Sequence, residues 1–346
     1  MKQKPQSSSR IAVDMSSGAS PLATRLLACA KFSQQASLSL VGDSVALKDT
    51  AESIGLDLSP FQIVHTTTQI TGEESLRDVL RIGQQSSLAY CLRMVAEAEV
   101  DGMVTSGDTR ALVALSRHFL GTFADLRRPA IIKPFEGDRG AFHVLDLGAN
   151  VEVSARLLYQ FAHLGCEVAA LSEHVTTKPR VALLNIGTES GKGPDVLRRT
   201  SAMLAGTEHI DFAGFVEPND IFSGRADVVA CNGYTGNLLL KSFEGAATFL
   251  SRRFAKLAEL HAALEHPLVA AVAADFNTER YNGALLAGVR GLVVKSHGST
   301  GTTGFASAIE QTLYYLRANI VAKLDLALQR SSEAWSKSAV SRDLAE

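Results

Sequence analysis

Six short segments of the chain combine glycine with hydroxyl, amide and charged side chains. They are Asp14 with Ser16-Ser17-Gly18-Ala19-Ser20, Ser106-Gly107-Asp108-Thr109, Asp146-Leu147-Gly148-Ala149-Asn150, Gly187-Thr188-Glu189-Ser190-Gly191-Lys192-Gly193, Asn232-Gly233-Tyr234-Thr235-Gly236-Asn237 and Ser296-His297-Gly298-Ser299-Thr300-Gly301. Glycine lets backbone N–H groups come close to an anion, and a helix start adds partial positive charge. A single such loop says little, because glycine also simply turns a chain. Six of them point to a phosphate or carboxylate site, with Asp14, Ser106, Gly107, Thr109, Asn150, Gly187, Gly193 and Gly236 as its expected lining.

Three side chains are candidates for the chemistry itself. Lys192 lies between two glycines and can present a compact positive charge to phosphate, although a loop lysine is often only solvated. Asn237 stands at a helix start, where in most proteins it would be a plain N-cap. His297 follows Lys295 at a strand end and suits a general acid or base, a neutral donor or a structural hydrogen bond. The nucleotide patterns GxGxxG and GxxxxGK[ST] are missing, as are the GxSxG elbow and the HExxH zinc motif. Cys29, Cys91, Cys166 and Cys231 stand far apart without ligand spacing, so they are expected as reduced core thiols and no metal site is expected.

The elements that hold these loops are short apolar strands alternating with helical patterns. Strands are expected at Ile11–Val13, Leu38–Val41, Phe61–His65, Gly102–Thr105, Ala130–Lys133, His143–Leu147, Arg180–Ile186, Asp211–Val216, Asp227–Cys231 and Leu292–Lys295. Helical spacing falls at Pro21–Phe32, Ser86–Glu97, Arg110–Leu120, Ser154–Leu171, Pro194–Leu204, Gly236–Leu264 and Thr303–Leu328. This alternation predicts an α/β fold, a mainly parallel sheet covered by helices on both faces, with ligands at the carboxyl ends of strands. One domain is expected over residues 11–328, between a polar tail at 1–10 and another at 329–346. An alanine- and leucine-rich segment around Pro267 predicts a protruding helical hairpin at about 250–280.

Composition narrows the class. The 346 residues are 46% hydrophobic and 20% charged, with a formal net charge of −2, which argues against bulk binding of nucleic acid. Met1–Arg10 lacks the apolar run of a signal peptide, and no apolar stretch suggests a membrane span. A cytoplasmic protein is expected, with any membrane contact peripheral.

At the same loops the chain resembles the acyl-ACP:phosphate acyltransferases, the PlsX family. The resemblance is carried by Asp146-Leu-Gly-Ala-Asn-Val151, Pro179-Arg-Val-Ala-Leu-Leu-Asn-Ile-Gly187, Ala226-Asp-Val-Val-Ala-Cys-Asn-Gly-Tyr-Thr-Gly-Asn237 with Lys241 and Glu244-Gly245, Tyr281-Asn-Gly-Ala284 and Val294-Lys-Ser-His-Gly298. It runs from about Ile11 to Leu328 and implies a fold shared with phosphotransacetylases. It also implies attack of inorganic phosphate on the thioester of long-chain acyl-ACP, giving acyl phosphate for phospholipid synthesis. No cofactor is implied. A homodimer with acyl carrier protein as partner and peripheral membrane contact are implied, with Lys192 and Asn237 as the leading catalytic positions.

Two loops depart from the family pattern. Met15-Ser16-Ser17-Gly18-Ala19-Ser20 replaces a stretch that carries a second aspartate, and Asp108 and Arg110 stand where the family has asparagine and glycine. Arg110 adds bulk there, and Asp108 is expected either to repel phosphate or to neutralise Arg110. These changes motivate one alternative, a non-catalytic relative that binds or regulates. Another is a transferase that uses acyl-CoA, as phosphotransacetylases do.

Overall fold

A computed structural model of the chain describes residues 9–123, 125–175, 178–260 and 278–337. The strands are β1 (Ser9–Asp14), β2 (Ala36–Gly42), β3 (Gln62–His65), β4 (Gly102–Thr105), β5 (Ala130–Gly137), β6 (Gly140–Leu145), β7 (Arg180–Leu184), β8 (Asp211–Val216), β9 (Val228–Ala230), β10 (Ala284–Ala287) and β11 (Val293–Lys295). The helices are α1 (Leu22–Ala30), α2 (Ser44–Ile54), α3 (Leu76–Arg81), α4 (Ser87–Ala96), α5 (Thr109–Phe119), α6 (Ala155–Ala169), α7 (Asp195–Leu204), α8 (Gly233–Leu260), α9 (Thr302–Arg317) and α10 (Ile320–Lys337).

All eleven strands form one sheet in the order β3-β2-β1-β4-β11-β10-β5-β6-β9-β7-β8. Two parallel blocks, β3-β2-β1-β4-β11 and β6-β9-β7-β8, are joined through β10 and β5 by antiparallel pairings. The expected mainly parallel α/β sheet is therefore present, with an antiparallel seam at its middle. Alternation along the strands feeds two apolar layers: Ile11, Val13, Leu38 and Leu40 enter one, and Ala12, Val41 and Met103 the other. All four cysteines are free and buried.

α2, α3 and β10 have no counterpart in the sequence expectation, and three further segments differ from it in extent. β5 and β6 are longer than the apolar runs that announced them and pair through a tight turn at Asp138-Arg139. The helical pattern Thr303–Leu328 is two helices, because Asn319 takes a left-handed conformation (φ 50°) that breaks the run. The chain expected as a polar tail from 329 is helical through Lys337. Ser331 is buried there, Trp335 packs on the core, and Arg156 lies over its ring. Most of the expected hairpin at about 250–280 lies outside the described residues. Among the described residues, no helix is long and apolar enough to cross a membrane.

Two buried histidines give the fold a pH signature. Burial pushes the His143 imidazole down to about 4, with His174 adding to the shift and Asp227 opposing it. Burial does the same to His163, also to about 4, with smaller contributions from His209 and Arg330. Both are neutral in the folded chain and take up protons once unfolded. Their stabilisation is therefore complete above the ordinary histidine pKa of about 6.5 and is lost as pH falls toward 4, up to about 3 kcal/mol for each. Urea midpoints measured from pH 7 to pH 4.5 should fall, and a His143→Gln/His163→Gln double variant should flatten most of that fall. A midpoint that stays constant over this range would refute the assignment.

Candidate active site

The first half of the site is organised by a buried carboxylate. Asp14 ends β1 and is fully buried, so its oxygens must find donors within the protein. Oδ1 accepts from the backbone N–H groups of Ser16 and Ser17 (3.2 Å each) and from Ser87 Oγ (2.6 Å), and Oδ2 accepts from Thr105 Oγ1 (2.7 Å). The ends of β1 and β4 and the start of α4 are thereby fixed to one another. The serine-rich loop after β1 then reaches across to the loop after β11. Ala19 N–H and Ser20 N–H donate to the Gly298 carbonyl, and Ser20 Oγ donates to the Thr300 carbonyl at 2.6 Å. Gly18 adopts φ +91°, and a side chain there would collide with Ser106. Ser106 Oγ and the buried Arg25 guanidinium both donate to the Ser17 carbonyl.

A second buried carboxylate organises the other half. Asp146 follows β6 and accepts from the N–H groups of Ile131 (3.0 Å), Ala149 (3.1 Å) and Asn150 (2.7 Å) and from Asn150 Nδ2 (2.8 Å). Burial still pushes its carboxyl up, with these four donors opposing the shift. The start of α8 is seated on this loop. Gly233 N–H donates to the Asn150 carbonyl at 2.6 Å, Asn232 Oδ1 caps the helix by accepting from Thr235 N–H at 2.8 Å, and Gly236 lies directly on the Asp146 carbonyl, where a Cβ would not fit. Asn237 follows directly on this packed glycine, and its side chain is exposed. Its carboxamide makes no hydrogen bond among the described residues.

Between the halves lies an inner hollow of about 180 Å³. Lys133 from β5, Lys241 from α8 and Lys295 from β11 converge on it, with His297, Thr109, Asn237 and Asn282. Among the described residues lining it, Glu244 is the one carboxylate. Lys241 Nζ contacts Glu244 Oε2 at 2.7 Å and His297 Nε2 at 3.3 Å. Lys295 Nζ donates to the Gly107 carbonyl at 2.7 Å. Burial pushes the Lys295 ammonium down to about 8; Asp108 and Asp14 oppose the shift, and Lys241 adds to it. Burial also lowers Lys133 and His297, Glu244 opposing and the neighbouring ammonium groups adding in each case. The His297 backbone is held by Asn282, whose Oδ1 accepts from His297 N–H at 2.9 Å while Nδ2 donates to Ser296 Oγ (2.7 Å) and the Gly304 carbonyl (2.8 Å). Three ammonium groups against one carboxylate make a site for an anion.

The residues singled out in the sequence divide into three groups. Asn237, His297 and Thr109 line the hollow, and Gly107 holds Lys295 by its carbonyl. Asp14, Ser106, Asn150 and Gly236 are supports behind it, packed or hydrogen-bonded within the protein. Lys192, Gly187 and Gly193 lie in the loop after β7 and are not among the residues lining this hollow. Lys192 Nζ pairs there with Glu189 at 2.9 Å, and Asn185 Nδ2 pins the loop through the Lys192 carbonyl. Lys133, Lys241 and Lys295 went unnoticed as site residues. The available signal is a lysine directly after an apolar pair, at Ile131-Ile132-Lys133 within β5 and at Val293-Val294-Lys295 at the end of β11, where an ammonium needs a polar outlet.

The two altered loops are accommodated. Asp108 caps α5 by accepting from Ala111 N–H at 2.9 Å. Arg110 turns away from the hollow and donates to the Gly72 and Glu74 carbonyls at 2.8 and 3.3 Å, its Nε 4.0 Å from Asp108.

A family model described as fatty acid synthesis protein matches residues 10–323. A phosphate acyltransferase of Pseudomonas putida is 39% identical over 306 residues, covering 86% of this chain and 90% of that protein. One of Pseudomonas syringae pv. syringae is 38% identical over 305 residues, covering 86% and 89%. Among solved structures, a phosphotransacetylase of Streptococcus pyogenes superposes with a TM-score of 0.62 at 16% identity, covering 90% of this chain and 94% of that one. A branched-chain phosphotransacylase of Enterococcus faecalis gives 0.56 at 14% identity, covering 88% and 99%. The chain belongs to the fatty acid synthesis protein family and, within it, to the PlsX-type phosphate acyltransferases; the solved structures establish the shared α/β fold.

The lowered ammonium of Lys295 makes anion binding pH-dependent. Lys295 is charged below about 8 and neutral above it. Sulfate, whose own charge is constant from pH 7 to 9.5, should therefore bind roughly tenfold more weakly at the upper end, as read by isothermal titration. Lys295→Arg, which stays charged throughout, should remove most of that loss. Equal profiles for the two proteins would contradict the placement of Lys295 at the anion.

Proposed function

We propose that this chain transfers a fatty acyl group from the thioester of acyl carrier protein to inorganic phosphate, giving acyl phosphate for phospholipid synthesis. The observation that carries the reading is the convergence of Lys133, Lys241, Lys295 and His297 on a hollow that opens beside the unpaired Asn237 carboxamide. Acyl transfer from a thioester to phosphate needs these parts. The cations strip and hold the phosphate, and a preorganised donor stabilises the tetrahedral oxyanion.

In the reaction, an oxygen of HPO4²⁻ attacks the thioester carbonyl and forms the new C–O bond. The C–S bond then breaks, and the proton carried by the phosphate passes to the departing thiolate, so acyl phosphate and a free thiol result. His297, its pKa lowered by burial, lies 3.3 Å from Lys241 Nζ, and the relay of that proton is assigned to it. Asn237 donates to the oxyanion. Lys192 approaches from the adjoining strand end, and its exposed pair with Glu189 costs little to open.

A long alkyl chain has surface to lie on. Val151, Ile186, Tyr234 and Leu238 are 68%, 76%, 65% and 58% exposed, at neighbouring strand ends and on the turns of α8 that flank Asn237. That favours a fatty acyl donor over a small acyl-CoA. Arg110, turned toward Gly72 and Glu74, takes away the steric reason for a non-catalytic relative.

Purified protein given palmitoyl-ACP should form hydroxylamine-trappable acyl phosphate only when inorganic phosphate is present. Asn237→Ala should lower turnover about 10²- to 10³-fold. Lys192→Ala should lose most product, whereas Glu189→Gln, which releases the same ammonium, should not. Leu238→Glu should slow a palmitoyl donor more than a butyryl donor. Absence of phosphate-dependent product from the folded wild-type chain would overturn the proposal.

A further inference from the structure

The inner hollow is continuous with an outer one of about 460 Å³, because Lys133, Lys241, Glu244, Asn282 and His297 line both. The outer hollow follows one face of α8, where Lys241, Glu244, Thr248 and Arg252 recur every three or four residues. Ser299 and Thr300 form part of its facing wall. The described residues that line it are polar or charged apart from Gly245. Val151, Ile186, Tyr234 and Leu238 form an exposed apolar group around Asn237 at the start of the helix, while Phe249, exposed farther along α8, is not among the residues lining the outer hollow.

We infer that this outer hollow is the subsite for the phosphopantetheine arm of the thioester donor, with Arg252 receiving the phosphate at the base of that arm. The inference rests on the acyl-transfer reading above and adds to it the direction from which the donor enters. A thioester held at Asn237 has two substituents that must leave in different directions. The alkyl chain follows the apolar residues, and the arm, a linear chain of two amides and a hydroxyl, follows the polar face of α8. Thr248 Oγ1, whose proton goes to the Glu244 carbonyl, and Ser299 Oγ, 3.3 Å from His297 Nδ1, present oxygens to the amide N–H groups, and Glu279 lines the same hollow. Arg252 lies fifteen residues beyond Asn237, a rise of about 22 Å along the helix, which suits the phosphate end of an extended arm. The Arg252 guanidinium makes no ion pair or hydrogen bond among the described residues, and it carries the bidentate donor geometry that a phosphate ester selects. Carrier protein and coenzyme A share this arm, so the subsite serves either source.

Competition kinetics on the whole chain test the assignment. Against acyl-ACP as the varied substrate, 4′-phosphopantetheine and pantetheine are compared as inhibitors of wild type and Arg252→Ala. The inhibition constant of 4′-phosphopantetheine should rise about tenfold in the variant, a change typical of losing an exposed charge-assisted contact. That of pantetheine should stay unchanged, as should KM for inorganic phosphate. KM should rise for acyl-ACP and acyl-CoA alike. Equal inhibition constants in the two proteins would overturn the assignment, and so would a loss shared by pantetheine. A KM rise confined to acyl-ACP would also overturn it, moving Arg252 to the body of the carrier protein. Phosphate-dependent turnover by wild type is read in the same assay, so failure of the arm subsite and failure of the acyl-transfer reading are told apart.

Discussion

Three ammonium groups and an imidazole share the inner hollow with a single carboxylate among its described lining, and the protein must bear their mutual repulsion whenever no anion is bound. Two devices meet that cost. One is titration: burial and mutual repulsion lower Lys133, Lys295 and His297, so the charge a ligand meets is adjustable. The other is a rigid frame. Asp14 and Asp146, each buried at a strand end and each supplied with four donors, fix the loops that border the hollow. Neither aspartate is among the described residues that line the hollow. Their work is to keep the donors pointed at a place that only an anion can occupy at low free energy.

The sheet order explains why this place exists. Strand ends of a single parallel block would lie along one edge. The antiparallel seam of β10 and β5 instead lets Lys295 and His297 from one block face Asn237 and Lys241 from the other. Lys133 projects from the seam itself. In the proposed reaction, the anion-holding lysines, the oxyanion donor and the proton relay come from different elements. The altered loop at Asp108 and Arg110 fits this division, since its charges are spent on capping α5 and tying the Gly72–Glu74 turn.

Much of this was legible in the residues. Strand and helix alternation, the strand-end loops and the choice of Asn237 and His297, which line one hollow, follow from periodicity, glycine placement and the family motifs. Which loops meet was not legible, because that depends on strand order, and β10 is four residues of ordinary apolar sequence. Lys133 and Lys295 were read as strand termini, because a lysine beside apolar residues gives no sign of which way its ammonium turns. Lys192 stood out for its flanking glycines, yet those glycines serve its own loop, and Gly193 takes φ +82° against Asn185. The break at Asn319 was hidden by apolar spacing that continues across it, since one left-handed residue leaves the pattern on either side intact.

The central claim is that the attacking anion sits among Lys133, Lys241 and Lys295 beside Asn237. Tungstate is a tetrahedral dianion with strong anomalous scattering, and diffraction from crystals soaked in it would locate that anion directly. The account predicts a peak in the inner hollow, within hydrogen-bond reach of at least two of the three ammonium groups. A peak confined to the Lys192 loop, with the inner hollow free of tungsten, would contradict it.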